Sequence, residues 1–431
     1  MRVCVAGLWH LGVVTAACLA AAGHDVVAYD HDPATLAAVA GGHLPVFEPG
    51  LDDLVRSVVE QQRLRFEADP RKAVAAADVL WIAWDTPVDE EDRADDEAVL
   101  GRVDALLPAL APGALVIVSS QLAVGSTARI ERRCAELRPG CAIEVVYSPE
   151  NLRLGTAIDA FNRPERVVVG ARAGCGRARI AALVAAFTDR IEWMSVESAE
   201  MTKHALNAFL ATSVAFVNEI AAISERVGAD AIEVARGLKS DPRVGPRAYL
   251  SPGPSFAGGT LARDVVSLTE RARLLRLPLH LIPAVRESNE AHRAWALGRL
   301  ESVLGGVEGR TVAVWGLTYK PGTDTLRRSD AVALCLALGA RGAAARVFDP
   351  TVRTLPAAMA GFAVLVTSPT DAARGADAVV VGTEWPILRE VSADALVAAG
   401  APLVVDAGRF LAATLGSDRR LRYLAVGSPT H

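Results

Sequence analysis

Arg2-Val3-Cys4-Val5-Ala6-Gly7-Leu8-Trp9-His10-Leu11-Gly12 opens the chain, and its reading decides the fold. Residues 2–6 form an apolar run of strand length, Gly7 and Gly12 bracket a turn, and the small-residue stretch 13–22 reads as a helix. A second strand, 24–29, closes on Asp30. Strand, glycine turn, helix, strand and terminal carboxylate is the order of a βαβ nucleotide-binding unit. The full fingerprint is GxGxxG, whose middle glycine lets the main chain approach a pyrophosphate. Trp9 stands in that place. On residues alone, Gly7, Trp9, His10, Leu11 and Gly12 either cradle a dinucleotide or make a tight α/β turn whose glycines serve packing. A carboxylate at the position of Asp30 accepts from a ribose 2′-hydroxyl and repels a 2′-phosphate, so the cofactor expected is NAD in preference to NADP. The apolar stretch 3–23 mimics a secretory signal. Only one positive residue precedes it, however, and His10 interrupts it, so a buried strand and helix explain it better.

Working outward, strand-like runs recur at 77–83, 114–119, 143–147 and 166–169, separated by helical stretches. Such alternation predicts a parallel, doubly wound sheet to about residue 190. From 198 to 227 the pattern is one long helix that reaches Gly228 without glycine or proline, and a Pro/Gly-rich loop spans 240–259. Alternation resumes with strands at 312–316, 345–348, 378–381 and 403–405. The expected fold is α/β, two Rossmann-like doubly wound domains joined by a central helical domain, with divisions at 1–195, 196–300 and 301–431.

Composition narrows function. Hydrophobic residues make up 51% and charged residues 22% of 431, which describes a packed globular chain of more than one core. A net charge of −5 gives no basic field for nucleic acid, and no partner of that class is expected. Six cysteines, at 4, 18, 134, 141, 175 and 335, form no CxxC pair or Cys/His cluster. Neither a metal site nor a disulfide framework is indicated, and a reducing cytoplasm fits, with no membrane association. Of 45 basic residues only Lys72, Lys203, Lys239 and Lys320 are lysine. In so arginine-rich a chain, a surviving lysine points to a need for a compact charge or a transferable proton, with compositional chance as the plain alternative.

Two of those lysines fall within motifs. Lys203 and Asn207 are one helical turn apart and face one side, where they can address one substrate carbon or simply form a polar surface. Lysine there can hold an alkoxide or a developing carbonyl oxygen. Glu150 follows Pro149 in a loop after a strand, where active-site groups of α/β sheets gather. Asp264, four residues past Thr260, can accept a proton or position water, or can cap a helix starting near Val265. Lys320 suits a pyrophosphate.

Taken together, the motifs resemble the UDP-glucose/GDP-mannose dehydrogenase family across most of the chain. Phe47-Glu48-Pro49-Gly50-Leu51 is similar to its EPGL element, and Trp84-Asp85-Thr86-Pro87 to its TP segment. Ser148-Pro149-Glu150-Asn151-Leu152-Arg153 resembles its SPEFLRE motif, and Glu200 to Asn207 its E..K...N helix, followed by Asn218-Glu219. Pro252 to Asp264 matches its PG..FGGSC.PKD stretch, and Gly316 to Asp324 its GL.FKP.TDD signature. The resemblance implies NAD at Gly7, Trp9, His10, Leu11, Gly12, Asp30, Thr86, Pro87, Gln121 and Arg327. It implies a nucleotide sugar at Asn151, Leu152, Arg153, Arg243, Tyr249, Phe256, Gly258 and Lys320. The chemistry would fall to Lys203, Asn207, Asp264, Glu150 and the residue at 260. A homodimer through the long helix is also implied, consistent with apolar positions on more than one face (Ala205, Phe209, Ala215, Phe216, Ile220).

The resemblance breaks at the chemistry. In the family, a C6 alcohol is oxidised twice by NAD, with a cysteine capturing the aldehyde so that the second hydride leaves a thioester. Thr260 stands at that cysteine's place, and a threonine hydroxyl is hardly ionised at neutral pH. Gln121 replaces a threonine of the family's STVPVG strand end, and Leu154 replaces its second glutamate. The losses concern covalent capture and water handling. The expected activity is therefore a single hydride transfer at a nucleotide-sugar alcohol. A redox-neutral epimerase with retained NAD and a non-catalytic nucleotide-sugar-binding protein are the rivals.

Overall fold

The computed structural model describes residues 1–150, 152–257 and 259–429. The chain forms two compact units, Met1–Leu206 and Asn207–His431, so the helical middle and the second α/β layer share one unit.

The first unit is built on β1 (Arg2–Ala6), β2 (Asp25–Tyr29), β3 (Leu64–Phe66), β4 (Val79–Ile82), β5 (Leu115–Val118), β6 (Glu144–Tyr147), β7 (Val167–Gly170) and β8 (Ile191–Met194). They lie side by side in the order β3-β2-β1-β4-β5-β6-β7-β8. The first six positions are the nucleotide-binding order, with the reversal of strand order between β1 and β4. Ala6 pairs Tyr29 on one side and Ile82 on the other, so β1, β2 and β4 end flush beneath the glycine turn. β4 and β5 are buried throughout, as central strands covered on both faces must be. The sheet is not wholly parallel, contrary to the expectation from alternation. β6 meets β7 antiparallel at Tyr147 and Gly170, while β7 and β8 are parallel to each other. The segment between β6 and β7 carries only the six-residue helix Ala157–Asn162, about 9 Å long at 1.5 Å per residue.

The second unit holds β9 (Thr311–Trp315), β10 (Ala344–Phe348), β11 (Ala363–Leu365), β12 (Ala378–Val381), β13 (Leu403–Val405) and β14 (Arg422–Leu424), all parallel. Their order, β11-β10-β9-β12-β13-β14, repeats that of the first six strands of the other sheet. Preceding them are helices Ala231–Ser240, Thr260–Leu274, Leu281–Arg293 and Trp295–Leu304. The long helix, Val196–Val227, begins in the first unit and continues into the second. It is long and apolar enough to cross a membrane, yet Ala211 and Ala215 are core residues packed with Val265 and Val285. An apolar helix with a core-facing side needs no bilayer to explain it.

Candidate active site

The turn after β1 shows what its glycines are for. Gly7 has φ +103°, and a Cβ there would lie 2.5 Å from the Trp84 nitrogen. A Cβ on Gly12 would lie 1.6 Å from the Gly7 carbonyl oxygen. Both glycines let the first helix, His10–Ala21, sit hard against the sheet. Trp9 is the residue before that helix and is 48% exposed, and no side chain caps the helix end. Helix N–H groups without a side-chain partner next to a glycine turn are what a pyrophosphate meets, so the turn fits a dinucleotide, with Trp9 as the one departure.

Asp30 is buried, and its carboxylate accepts from Leu8 N–H at 2.7 Å and Asp32 N–H at 3.0 Å and pairs His31 Nδ1 at 2.8 Å. It therefore organises the turn that follows β1. His10 turns away from solvent to Glu48, 2.9 Å from its Nε2. Glu48 is 1% exposed and also receives Gly155 N–H and Ala157 N–H, each at 2.8 Å. One buried carboxylate thus ties the cofactor turn to the loop that follows Glu150. Thr86 is buried and donates to the Gln121 carbonyl at 2.7 Å, joining the ends of β4 and β5, while Pro87 is exposed.

On the long helix, Glu200, Lys203 and His204 do different work. Glu200, wholly buried, accepts from Gly125 N–H at 2.7 Å and Thr127 N–H at 2.9 Å. It caps the helix Ser126–Leu137 from another element. His204 Nε2 lies 2.9 Å from the Leu122 carbonyl. Between them, Lys203 is 8% exposed and donates to the Glu150 carbonyl at 2.6 Å. The Glu150 carboxylate folds back onto Leu152 N–H. Leu152 packs against the core, and Arg153 and Leu154 are exposed. Asn151 and Gly258, both expected to touch substrate, lie outside the described residues.

Within the second unit, Asn207 donates from Nδ2 to Asp264, which is wholly buried. The helix carrying Asp264 starts at Thr260, so Asp264, its fifth residue, lies within the helix at the start of the second turn and is not a cap at Val265. Thr260 is exposed at that helix's first position. The loop leading to it is fixed by Asn218, already named in the motif order, and by Asn289 and His292, which sequence reading missed. Asn289 Oδ1 accepts from Phe256 N–H at 2.9 Å, and its Nδ2 donates to the Phe256 carbonyl at 2.8 Å. Asn218 accepts from Gly253 N–H at 3.0 Å, and His292 Nε2 lies 2.8 Å from the Gly253 carbonyl. Burial holds the His292 pKa below its ordinary 6.5, against the opposing pull of the Gly253 carbonyl and Glu225. Arg243 and Tyr249 project to solvent, Arg243 in an ion pair with Asp241 at 2.7 Å.

The turn after β9 repeats the device at β1. Gly316 N–H donates to the Phe348 carbonyl at 2.7 Å, as Gly7 N–H does to Tyr29 at 2.9 Å. Asp349 is the counterpart of Asp30 and takes Leu317 N–H at 2.7 Å and Thr351 N–H at 2.9 Å. Burial would raise its pKa, but these and further donors outweigh it and hold it below 3.8. Lys320 and the exposed Arg327 follow on this loop. Asp349 was legible only as the residue ending a second βαβ unit.

All six cysteines are free, and burial pushes Cys4, Cys18 and Cys335 up to about 12 and Cys134 to about 11. Such thiols are poor nucleophiles at neutral pH.

Residues 1–188 match the NAD-binding domain of the UDP-glucose/GDP-mannose dehydrogenase family, 197–291 its central domain and 313–413 its UDP-binding domain. The chain belongs to the UDP-glucose/GDP-mannose dehydrogenase family. It is similar to a UDP-glucose 6-dehydrogenase of Rhizobium meliloti, 35% identical over all of both chains. One from Pseudomonas aeruginosa is 34% identical over 100% of this chain and 98% of its own. The solved UDP-glucose dehydrogenase of Pyrobaculum islandicum superposes with a TM-score of 0.86 at 29% identity, covering 99% of this chain and 98% of its own. The chain is thus an oxidoreductase of the nucleotide-sugar dehydrogenase type that uses NAD, with the glycine turn in the NAD-binding domain and Lys320 in the UDP-binding domain.

Proposed function

We propose that this protein oxidises the primary alcohol of a UDP-glucose-like nucleotide sugar once, to the aldehyde. Bound NAD supplies the hydride acceptor. The reading is carried by a retained Lys203, buried and bound to the Glu150 carbonyl, in a chain that has Thr260 at the helix start where the family pattern has cysteine. As the alcohol gives up a hydride and a proton, the Lys203 ammonium is the charge that steadies the alkoxide and then the carbonyl oxygen. Asp264, held by Asn207, offers an acceptor for the proton, directly or through water. Thr260 cannot form the thioester through which the second oxidation runs. Gly7, His10, Leu11, Gly12 and Asp30 hold the dinucleotide, with Thr86, Pro87, Gln121 and Arg327, and Trp9 lines the same turn. Leu152, Arg153, Arg243, Tyr249, Phe256 and Lys320 contribute to the nucleotide sugar. Lys203→Ala lowers turnover about 100-fold or more, the scale for losing one preorganised charge, while Thr260→Ala changes it little. Comparable losses in both variants would overturn these roles.

We further propose a homodimer in a reducing cytoplasm. Phe209, Phe216 and Ile223 recur every seven residues and are 66%, 47% and 59% exposed, continued by Val227 at 70%. A seam at that spacing suits a second helix. Light scattering should give twice the 45.3 kDa chain mass, and Phe216→Glu should give monomer. A monomeric parent at micromolar concentration would refute it.

A further inference from the structure

We propose that Trp9 sets cofactor affinity. With an indole where the fingerprint's middle glycine would leave the main chain open to a pyrophosphate, the protein holds NAD loosely and exchanges it at each turnover. The inference rests on the NAD-linked reading above. Gly7 and Gly12 are irreplaceable on packing grounds, since a Cβ on either would collide with backbone atoms. Trp9 differs in kind. Its φ of −80° and ψ of −166° are ordinary extended backbone, which any residue adopts, so the turn keeps its shape with an indole in it. What glycine would contribute at this position is room, and not conformation.

Trp9 is 48% exposed and is the residue preceding the helix His10–Ala21, whose first N–H groups have no side-chain cap. Those donors are the ones an anion seeks, and an indole beside them keeps the phosphates at a distance. Losing even one charge-assisted contact weakens binding by about tenfold. The same residue separates the two redox readings. A redox-neutral epimerase must retain its NAD through oxidation and re-reduction, whereas a dehydrogenase releases NADH as product. A side chain that loosens the dinucleotide suits the second.

Calorimetric titration of NAD into the full chain, Trp9→Gly and Trp9→Ala tests this, with thermal melting as the check on folding. Trp9→Gly should bind about tenfold more tightly or better, with Trp9→Ala equal to it or between it and the parent. Unchanged or weaker binding by a well-folded Trp9→Gly would overturn the proposal, because the indole would then be neutral or a contact in its own right. Should glycine loosen the fold, Trp9→Ala decides alone by the same rule. Failure of all three proteins to bind NAD while UDP-glucose still binds would sink the NAD reading itself, and this inference with it.

Discussion

Replacing Asn289 by alanine should loosen the segment that delivers Thr260 to its helix. Asn289 is 5% exposed, and its carboxamide satisfies both the N–H and the carbonyl of Phe256, at 2.9 and 2.8 Å. Alanine removes both partners at once and leaves too small a side chain to supply others. Each buried backbone group left unpaired costs about 1–3 kcal/mol. Phe256 is only half-buried, so water recovers part of this, and the net loss expected is about 2–4 kcal/mol. Asn218 and His292 still hold Gly253, so the damage should stay local. Urea unfolding would read the global loss. Amide exchange of the peptide around Phe256 would read the local one, with protection falling about 100-fold for the 2.7 kcal/mol within that range. A stability change under about 0.5 kcal/mol, with unaltered exchange at Phe256, would refute the claim that Asn289 holds this loop.

Other outcomes follow from the same bookkeeping of buried partners. Glu200→Ala should cost about 2–4 kcal/mol in chemical denaturation, because Gly125 and Thr127 N–H lose their shared acceptor, and Glu200→Gln should cost less. Equal stability of the alanine variant and the parent would show that Glu200 is not a cap. His292 should make stability fall in mild acid. Its pKa is depressed in the folded chain, so the unfolded chain takes up the proton first, and stability is whole above 6.5 and lost as pH drops through the lower folded value. Melting temperatures between about pH 7.5 and pH 5 should fall less steeply for His292→Gln, and parallel slopes would exclude His292 as the cause.

What could be read in advance follows from burial. The central strands announced themselves because strands covered on both faces become unbroken apolar runs, as at 79–82, 115–118 and 378–381. The four strands that escaped, β3, β8, β11 and β14, are the four edges of the two sheets. Each is three or four residues long and partly exposed, so Leu64-Arg65-Phe66 or Arg422-Tyr423-Leu424 carries little hydrophobic signature. The reversal between β6 and β7 left no mark in composition. Helical spacing and motif order singled out Lys203, Asn207 and Asp264 as candidates in advance. Glu48, Asn289 and His292 serve main-chain groups far along the chain, and nothing local in the sequence names the donor or acceptor they will meet. Glu200 was seen as part of a motif, yet its work as a cap for a distant helix was not. Asp264 was legible as a residue but ambiguous in role until the helix start at Thr260 placed it inside the helix, beyond any capping position.

The claim at the centre is that a threonine at position 260 halts the reaction after one oxidation. It is tested most directly by supplying the unmodified protein with UDP-glucose and excess NAD, counting NADH per sugar consumed, and identifying the product by mass spectrometry. The account predicts about one NADH per sugar and an aldehyde or its hydrate, since no thioester can form at Thr260. A hydrated aldehyde can still surrender a second hydride without any bond to the protein. Clean formation of the uronic acid with two NADH per sugar would therefore contradict the reading of Thr260.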